Sequence, residues 1–143
     1  MWRIVALMML ALLFGYGLIR IGVGCLLLAQ ALELIQVTDF ADALAEVKRF
    51  TAARADKELV AFSVSGYCVY IMLMGLLLAS GAVGVFRYKL WGFMLLGLYL
   101  LMHAALFVNY QEINPKLFVL ALQALMLVVL LYLRPPRAAD IVK

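Results

Sequence analysis

Residues 59–86, LVAFSVSGYCVYIMLMGLLLASGAVGVF, run without one charged side chain, break at Arg87-Tyr88-Lys89, and resume as residues 90–108, LWGFMLLGLYLLMHAALFV. A helix needs about 20 apolar residues to cross the hydrocarbon core of a bilayer. Both blocks supply that length, and the basic triplet between them leaves room only for a tight antiparallel hairpin of two spans. The pattern repeats on either side. Residues 4–35 are apolar apart from Arg20 and the late Gln30 and Glu33, and residues 115–133 form a fourth block. The reading is an all-α, integral membrane four-helix bundle, with spans at about 4–35, 59–86, 90–108 and 115–133, in a single domain over residues 1–143.

Composition leads to the same class. The chain has 143 residues, of which 69% are hydrophobic and 14% charged, and its mean hydropathy is +1.11. A soluble domain is roughly half apolar, and four spans leave almost no chain for one. The net charge of +4 calls for no nucleic-acid partner, because basic residues beside spans set membrane orientation. Two cysteines without a CxxC are too few for a disulfide framework. Arg3 followed by an apolar run has the flavour of a signal peptide. The small-x-small site Ala29-Gln30-Ala31 lies far beyond the usual apolar length, however, with Arg20 between, so an uncleaved first helix is expected.

Asn114-Pro115 marks a helix start, a capping residue before a proline at the first helical position. Arg134-Pro135-Pro136-Arg137 ends the last span, and Ala138 to Lys143 reads as a short disordered tail. Within residues 36–58, Thr38 or Asp39 can cap a helix in which Phe40, Leu44, Val47 and Phe50 recur at helical spacing. This predicts an amphipathic helix over about 39–54. The flanking blocks overrun the bilayer: residues 59–86 would span about 42 Å as a helix against a core of about 30 Å. The loop helix is therefore expected to touch residues 27–35 or 59–64 as a cap outside the bilayer. Lying flat on the interface is the alternative.

With four spans, Arg3, Arg87, Lys89, Arg134, Arg137 and Lys143 share one side with a single acid, Asp140. The other side mixes Lys48, Arg49, Arg54, Lys57 and Lys116 with seven acids. Basic residues close to span ends count most, so both termini are expected to be cytoplasmic, in a bacterial inner (plasma) membrane. Trp2, Tyr88, Trp91 and Tyr132 then form an aromatic belt at the inner interface. All ten glycines lie in the first three spans, where small residues let backbones approach. Gly15, Gly22, Cys25 and Ala29 share one face of the first span, and Ser65, Cys68, Gly75 and Ala79 one face of the second. The glycine-free fourth span should face lipid, another membrane protein or a second copy of the chain.

Charge inside a membrane is costly enough to mark a candidate site. Arg20 is the deepest, on a face with Tyr16, Gly17 and Gly24. It can hold a phosphate or carboxylate head group or polarise a quinone carbonyl; alternatively it snorkels, since counting from Arg3 puts it about 25 Å up the helix, near the outer boundary. His103, the sole histidine, lies one turn from Tyr99, suited to a quinone oxygen or to an interhelical hydrogen bond with Gln123 or Gln30. Cys25 and Cys68 fall at similar depth, as a redox pair or as small packing residues. Ser63, Tyr67, Tyr70 and Met74 form a stripe that either lines a pocket for a flat ligand or packs. No metal-ligand cluster, phosphate loop or catalytic triad is legible, so the chain is not expected to be catalytic alone.

The order of these features resembles the DoxX family of four-helix bacterial membrane proteins, related to the small subunit of thiosulfate:quinone oxidoreductase. The resemblance rests on Leu18-Ile19-Arg20-Ile21-Gly22-Val23-Gly24-Cys25-Leu26-Leu27, on Asp39-Phe40-Ala41-Asp42-Ala43-Leu44, and on Met74-Gly75-Leu76-Leu77 before the Arg87-Tyr88-Lys89 turn. It covers roughly residues 12–133. The family's second-span glutamate has no counterpart between Leu59 and Asn109, so Arg20 alone carries over, and this register places it nearer the inner third of its span. The resemblance implies an accessory or anchoring subunit of a membrane redox, quinone-linked system. The other readings are a structural or assembly partner without ligand chemistry and a small oligomeric transporter. A proton-coupled transporter needs an embedded acid, which Glu33 only approximates.

Overall fold

The protein, seen in a computed structural model, is described over residues 2–137; the tail expected at 138–143 lies outside the described residues. Within them the chain forms α1 (Trp2–Ala31), α2 (Thr38–Ala52), α3 (Val64–Phe86), α4 (Leu90–Tyr110) and α5 (Lys116–Leu133), and no strand. α1, α3, α4 and α5 are long and apolar enough to cross a membrane. The fold is an all-α four-helix membrane bundle with an amphipathic helix in its first loop.

Two of the expected spans are too long at the ends that flank α2. α1 stops at Ala31 rather than Ile35, and α3 starts at Val64 rather than Leu59. At the first of these ends, Leu34 N–H donates to the Ala29 carbonyl at 2.9 Å and Glu33 N–H to the Gln30 carbonyl at 3.1 Å. Glu33 itself takes a φ of 59°. These are the 6→1 and 5→2 bonds of a Schellman stop, which normally places glycine at the left-handed position. The same pair of bonds ends α3 around Tyr88 and α4 around Gln111, the other two residues with positive φ among those described. The glycines therefore serve the helix faces, and larger side chains take the turns.

At the start of α3, the Ser63 hydroxyl accepts from Gly66 N–H at 3.0 Å, the bond of a helix N-cap. The residues just before it are tied instead to the end of α4. Leu59 N–H donates to the Asn109 carbonyl at 3.0 Å, Val60 N–H to Asn109 Oδ1 at 2.7 Å, and Asn109 Nδ2 to the Val60 carbonyl at 3.1 Å. One buried asparagine thus satisfies both polar groups of Val60. Val60 is exposed, so in Asn109→Ala water takes over both groups, and the cost is that of the bonds lost, about 0.5–1.5 kcal/mol each. We expect a corresponding fall in stability, measured by reversible unfolding in mixed micelles, with α4 helicity unchanged.

α2 is a cap. Leu44 is buried with Leu27 of α1 and Cys68 of α3, and Leu28, Ala31, Ala43, Val47 and Val64 pack around them. Phe50 continues this face, with its ring 5.6 Å from Tyr67 and 5.3 Å from Tyr110. Removing a large apolar side chain from water stabilises by about 1.5–3 kcal/mol, which favours this docking over an exposed stripe. The start of α2 differs from expectation: Val37 occupies the capping position, without a side-chain cap. Its N–H donates to Gln30 Oε1 at 3.1 Å, so the end of α1 supplies the acceptor. α5 begins one residue later than expected, with Pro115 in the capping position, and Asn114 Oδ1 accepts from Lys116 N–H at 3.0 Å.

Backbone proximity builds the bundle. A Cβ on Gly17 would stand 2.8 Å from Ala79 N and 2.9 Å from the Gly75 carbonyl oxygen, while one on Gly24 would meet Met72 and the Cys68 carbonyl. The α1 seam is therefore Gly17 and Gly24, not the expected Gly15 and Gly22, which have nothing within 4 Å. Both pairs keep the seven-residue spacing, which repeats one face, but the face that meets α3 is the one carrying Arg20. Gly84 and Gly92 bring α3 and α4 into backbone contact below the hairpin turn. Leu10, Leu13, Met74, Leu78, Phe93, Leu96, Tyr99 and Leu130 fill the core. α5 is the least buried of the four spans.

At the other end of the bundle, Arg134 is buried and its Nη2 donates to the Phe86 carbonyl at 2.7 Å, an orphan acceptor at the end of α3. Its guanidinium lies 4.1 Å from the Tyr88 ring centre, and Arg137 N–H donates to the Tyr88 carbonyl at 3.1 Å. Tyr88 is thus partly covered by the C-terminal basic residues, whereas Trp2, Trp91 and Tyr132 stay exposed.

Candidate functional site

Arg20 sits in the middle layer of the bundle. Its Cβ is the atom nearest Gly75 on the α1 side chains, and Nη1 donates to Met74 Sδ at 3.4 Å. Met74 is about 15 Å along α3 from its N-terminal end, at 1.5 Å per residue. Arg20 is thus level with the middle of α3. Its Nη2 donates to the Tyr16 hydroxyl at 3.2 Å, one turn back toward the N-terminus. The Cβ direction of an α-helix favours that course. The guanidinium carbon lies 5.0 Å from the Tyr16 ring centre and 5.7 Å from that of Tyr99.

Its partners are all neutral. Nε is buried with no hydrogen-bond partner, and among the described residues the only ion pair joins Arg54 to Glu112, at 2.6 Å. A guanidinium stays charged in proteins and carries five donors. Arg20 therefore holds an uncompensated charge at mid-depth, with hydrogen-bonding capacity to spare. Gly75 lets α1 come this close, since a Cβ there would stand 2.7 Å from the Gly17 carbonyl oxygen, 2.8 Å from Ile21 N and 2.9 Å from Arg20 Cβ.

Beside Arg20 lies a cavity of about 160 Å³ to which each span contributes two residues. α1 gives Tyr16 and Arg20, α3 Tyr67 and Ile71, α4 His103 and Leu106, and α5 Lys116 and Val119. A narrower cavity of about 40 Å³ continues toward the cap, sharing Tyr67, His103, Leu106 and Lys116 and ending at Phe50, Arg54 and Glu112. The Arg54 guanidinium lies 3.9 Å from the Phe50 ring centre. Together the two cavities trace a route from the capped end of the bundle to its middle.

Tyr99 stands behind the inner cavity, next to His103 in its wall. The Tyr99 hydroxyl donates to Gln123 Oε1 at 2.9 Å, joining α4 to α5, and His103 Nδ1 approaches the same hydroxyl at 3.5 Å, long for a hydrogen bond. Gln30 is engaged at Val37. His103 also stacks on Phe107, with ring centres 5.7 Å apart. Of the four expected ligand-site residues, Tyr16, Arg20 and His103 line the cavity, and Tyr99 holds His103 and Gln123 around it. The tyrosine stripe of α3 divides: Tyr67 faces the cavity, while the Tyr70 hydroxyl donates to the Met102 carbonyl at 2.7 Å and packs.

The two cysteines are free thiols in different surroundings. Cys68 is buried under the cap, whereas Cys25 is exposed, with its Sγ 3.3 Å from Met72 Sδ. Gly24 faces α3, and its neighbour Cys25 is turned by about 100° toward the outside of the bundle. Glu33 lies exposed in the turn after α1, outside the span. Among the described residues, no group of three His, Cys, Asp or Glu is placed to hold a metal ion.

Fold and site together define a small four-helix membrane bundle with a cationic, aromatic-walled cavity at mid-depth. Compared with protein-family models, curated proteins and solved structures, the chain matches none.

Proposed function

We propose that this small membrane protein is an accessory or anchoring subunit of a membrane redox, quinone-linked system, and that Arg20 holds the polar head of an amphiphile. One observation carries the reading: a guanidinium with an unpartnered Nε lines a cavity inside the bundle. An unpaired charge at this depth lowers the stability of the empty bundle, and an acceptor-rich head would recover part of that loss. Tyr16, Tyr67 and His103 add polar groups and flat walls, which suit a quinone or a lipid head. The resemblance to the DoxX family supplies the redox setting. The least buried helix, α5, exposing Phe118, Leu122 and Leu125, is the surface offered to a partner protein or to lipid.

The setting proposed is a bacterial inner membrane with both termini cytoplasmic. Reporter fusions after Lys143 and within residues 53–58 should report a retained C-terminus and a translocated loop. A translocated C-terminus contradicts the orientation. For the function, the protein would be purified in its native lipid and analysed by mass spectrometry for quinone, lipid and protein. An amphiphile bound at about one per chain and lost in Arg20→Gln, together with a co-purifying redox enzyme, is the expected outcome. Equal lipid profiles in both proteins and no redox partner would overturn it.

A further inference from the structure

We infer that the head held at Arg20 is acidic: a single carboxylate or phosphate on an acyl chain, bound between Arg20 and Lys116. The inference rests on the reading that Arg20 holds a ligand head, and two features of the cavity bear on what that head is.

The first is charge. Two of the residues lining the inner cavity are cations, one from α1 and one from α5, and none is an acid. Glu112, the acid of the continuing cavity, is already paired with Arg54. A neutral head would leave both Arg20 and Lys116 without a counter-charge. A carboxylate or phosphate accepts from a guanidinium through charge-assisted, often bidentate bonds, and from an ammonium as a point charge. The second is size, which permits such a head without selecting it: at about 160 Å³ the cavity is close to the roughly 150 Å³ that holds a benzene ring in an engineered site, so charge rather than room selects the acid. The chain of such a ligand can leave along Ile71, Leu106 and Val119, the apolar part of the same wall.

Lys116 has a dual position that fits this use. It lines both the inner cavity and its continuation, and its Nζ lies 5.6 Å from the Phe50 ring centre under the cap. It therefore stands where a head would pass between the capped end of the bundle and Arg20.

The test measures binding to the full chain in neutral detergent, with oleate, 1-oleoyl lysophosphatidate, inorganic phosphate, oleyl alcohol and a short-chain ubiquinone as probes. The expected result is saturable binding of oleate or lysophosphatidate, with oleyl alcohol and ubiquinone at least tenfold weaker. Arg20→Gln should weaken the acidic amphiphile by about tenfold to a hundredfold. The more exposed Lys116→Gln should weaken it by about two- to fivefold. Inorganic phosphate binding as tightly as lysophosphatidate would point to a free anion as the source, overturning the lipid form of the inference. Ubiquinone or oleyl alcohol binding as well as oleate, with Arg20→Gln still abolishing it, would overturn the acidic head and leave the reading of Arg20 intact. Binding of every probe unchanged in Arg20→Gln and Arg20→Lys would overturn both.

Discussion

Gly92→Ala is expected to destabilise the bundle by about 1–3 kcal/mol, while Gly97→Ala, later in the same helix, is neutral or stabilises by up to about 1 kcal/mol. Both changes add one methyl group to α4, and only their surroundings differ. At Gly92 the new Cβ falls on the backbone of Gly84 and Val85; at Gly97 it meets nothing within 4 Å. The obstacle at Gly92 is main chain, which cannot rotate away as a side chain would. The helices can separate only by straining a turn fixed by the bonds of Tyr88 and Lys89 to Val85 and Gly84. At Gly97 the dominant effect is the lower backbone entropy of alanine in the unfolded chain. Gly84→Ala should resemble Gly92→Ala, and the double variant should not be additive, because both act on one contact. Reversible unfolding in mixed micelles gives the comparison. Equal stabilities for the Gly92 and Gly97 variants would mean that α3 and α4 do not pack as described.

Arg20→Met is expected to make the ligand-free protein more stable by about 1–4 kcal/mol, on the scale seen when buried ion pairs are replaced by well-packed apolar residues. It should abolish head-group binding at the same time. The apolar chain fills much of the same volume beside Gly75 and Met74, and the cost of holding a charge at mid-depth disappears. The bonds to Met74 Sδ and the Tyr16 hydroxyl are lost, but both involve neutral acceptors at 3.2–3.4 Å. An arginine that served only to anchor α1 at an interface would behave in the opposite way, and its removal would destabilise. The sign of the stability change therefore separates a binding residue from an anchoring one.

Most of the fold was legible because lipid leaves few alternatives. A bilayer has no water to satisfy backbone groups, so uncharged blocks of this length become helices, and the Arg87-Tyr88-Lys89 break admits only a hairpin. The loop helix followed from Phe40, Leu44, Val47 and Phe50, and the last three of these make its docking face. The ends were less legible. Schellman stops usually announce themselves by glycine, and here Glu33, Tyr88 and Gln111 occupy those positions. The pairing of Val60 with Asn109 depends on a contact distant in sequence.

The site was legible in part for a similar reason. Arg20 declared itself by charge, and Tyr99 with His103 by their spacing on one helix. Which small-residue face of α1 meets α3 was not readable, because Gly15 with Gly22 and Gly17 with Gly24 repeat at the same interval. That choice decides the surroundings of Arg20. Lys116 entered the sequence reading only as an orienting charge. It joins Arg20 because of how α5 is turned against α4, and the nearly uniform Leu and Val surface of α5 carries no signal for that rotation. Gln123 is the exception, held toward Tyr99 by its need for a partner.

The most direct test of the account is an experimental density map of the protein isolated in its native lipid. The expected map shows an elongated feature in the cavity between α1, α3, α4 and α5, its head within about 3.5 Å of the Arg20 guanidinium, the range of a hydrogen bond. A cavity filled only by side chains, or an Arg20 side chain extended to the bilayer surface, would contradict it.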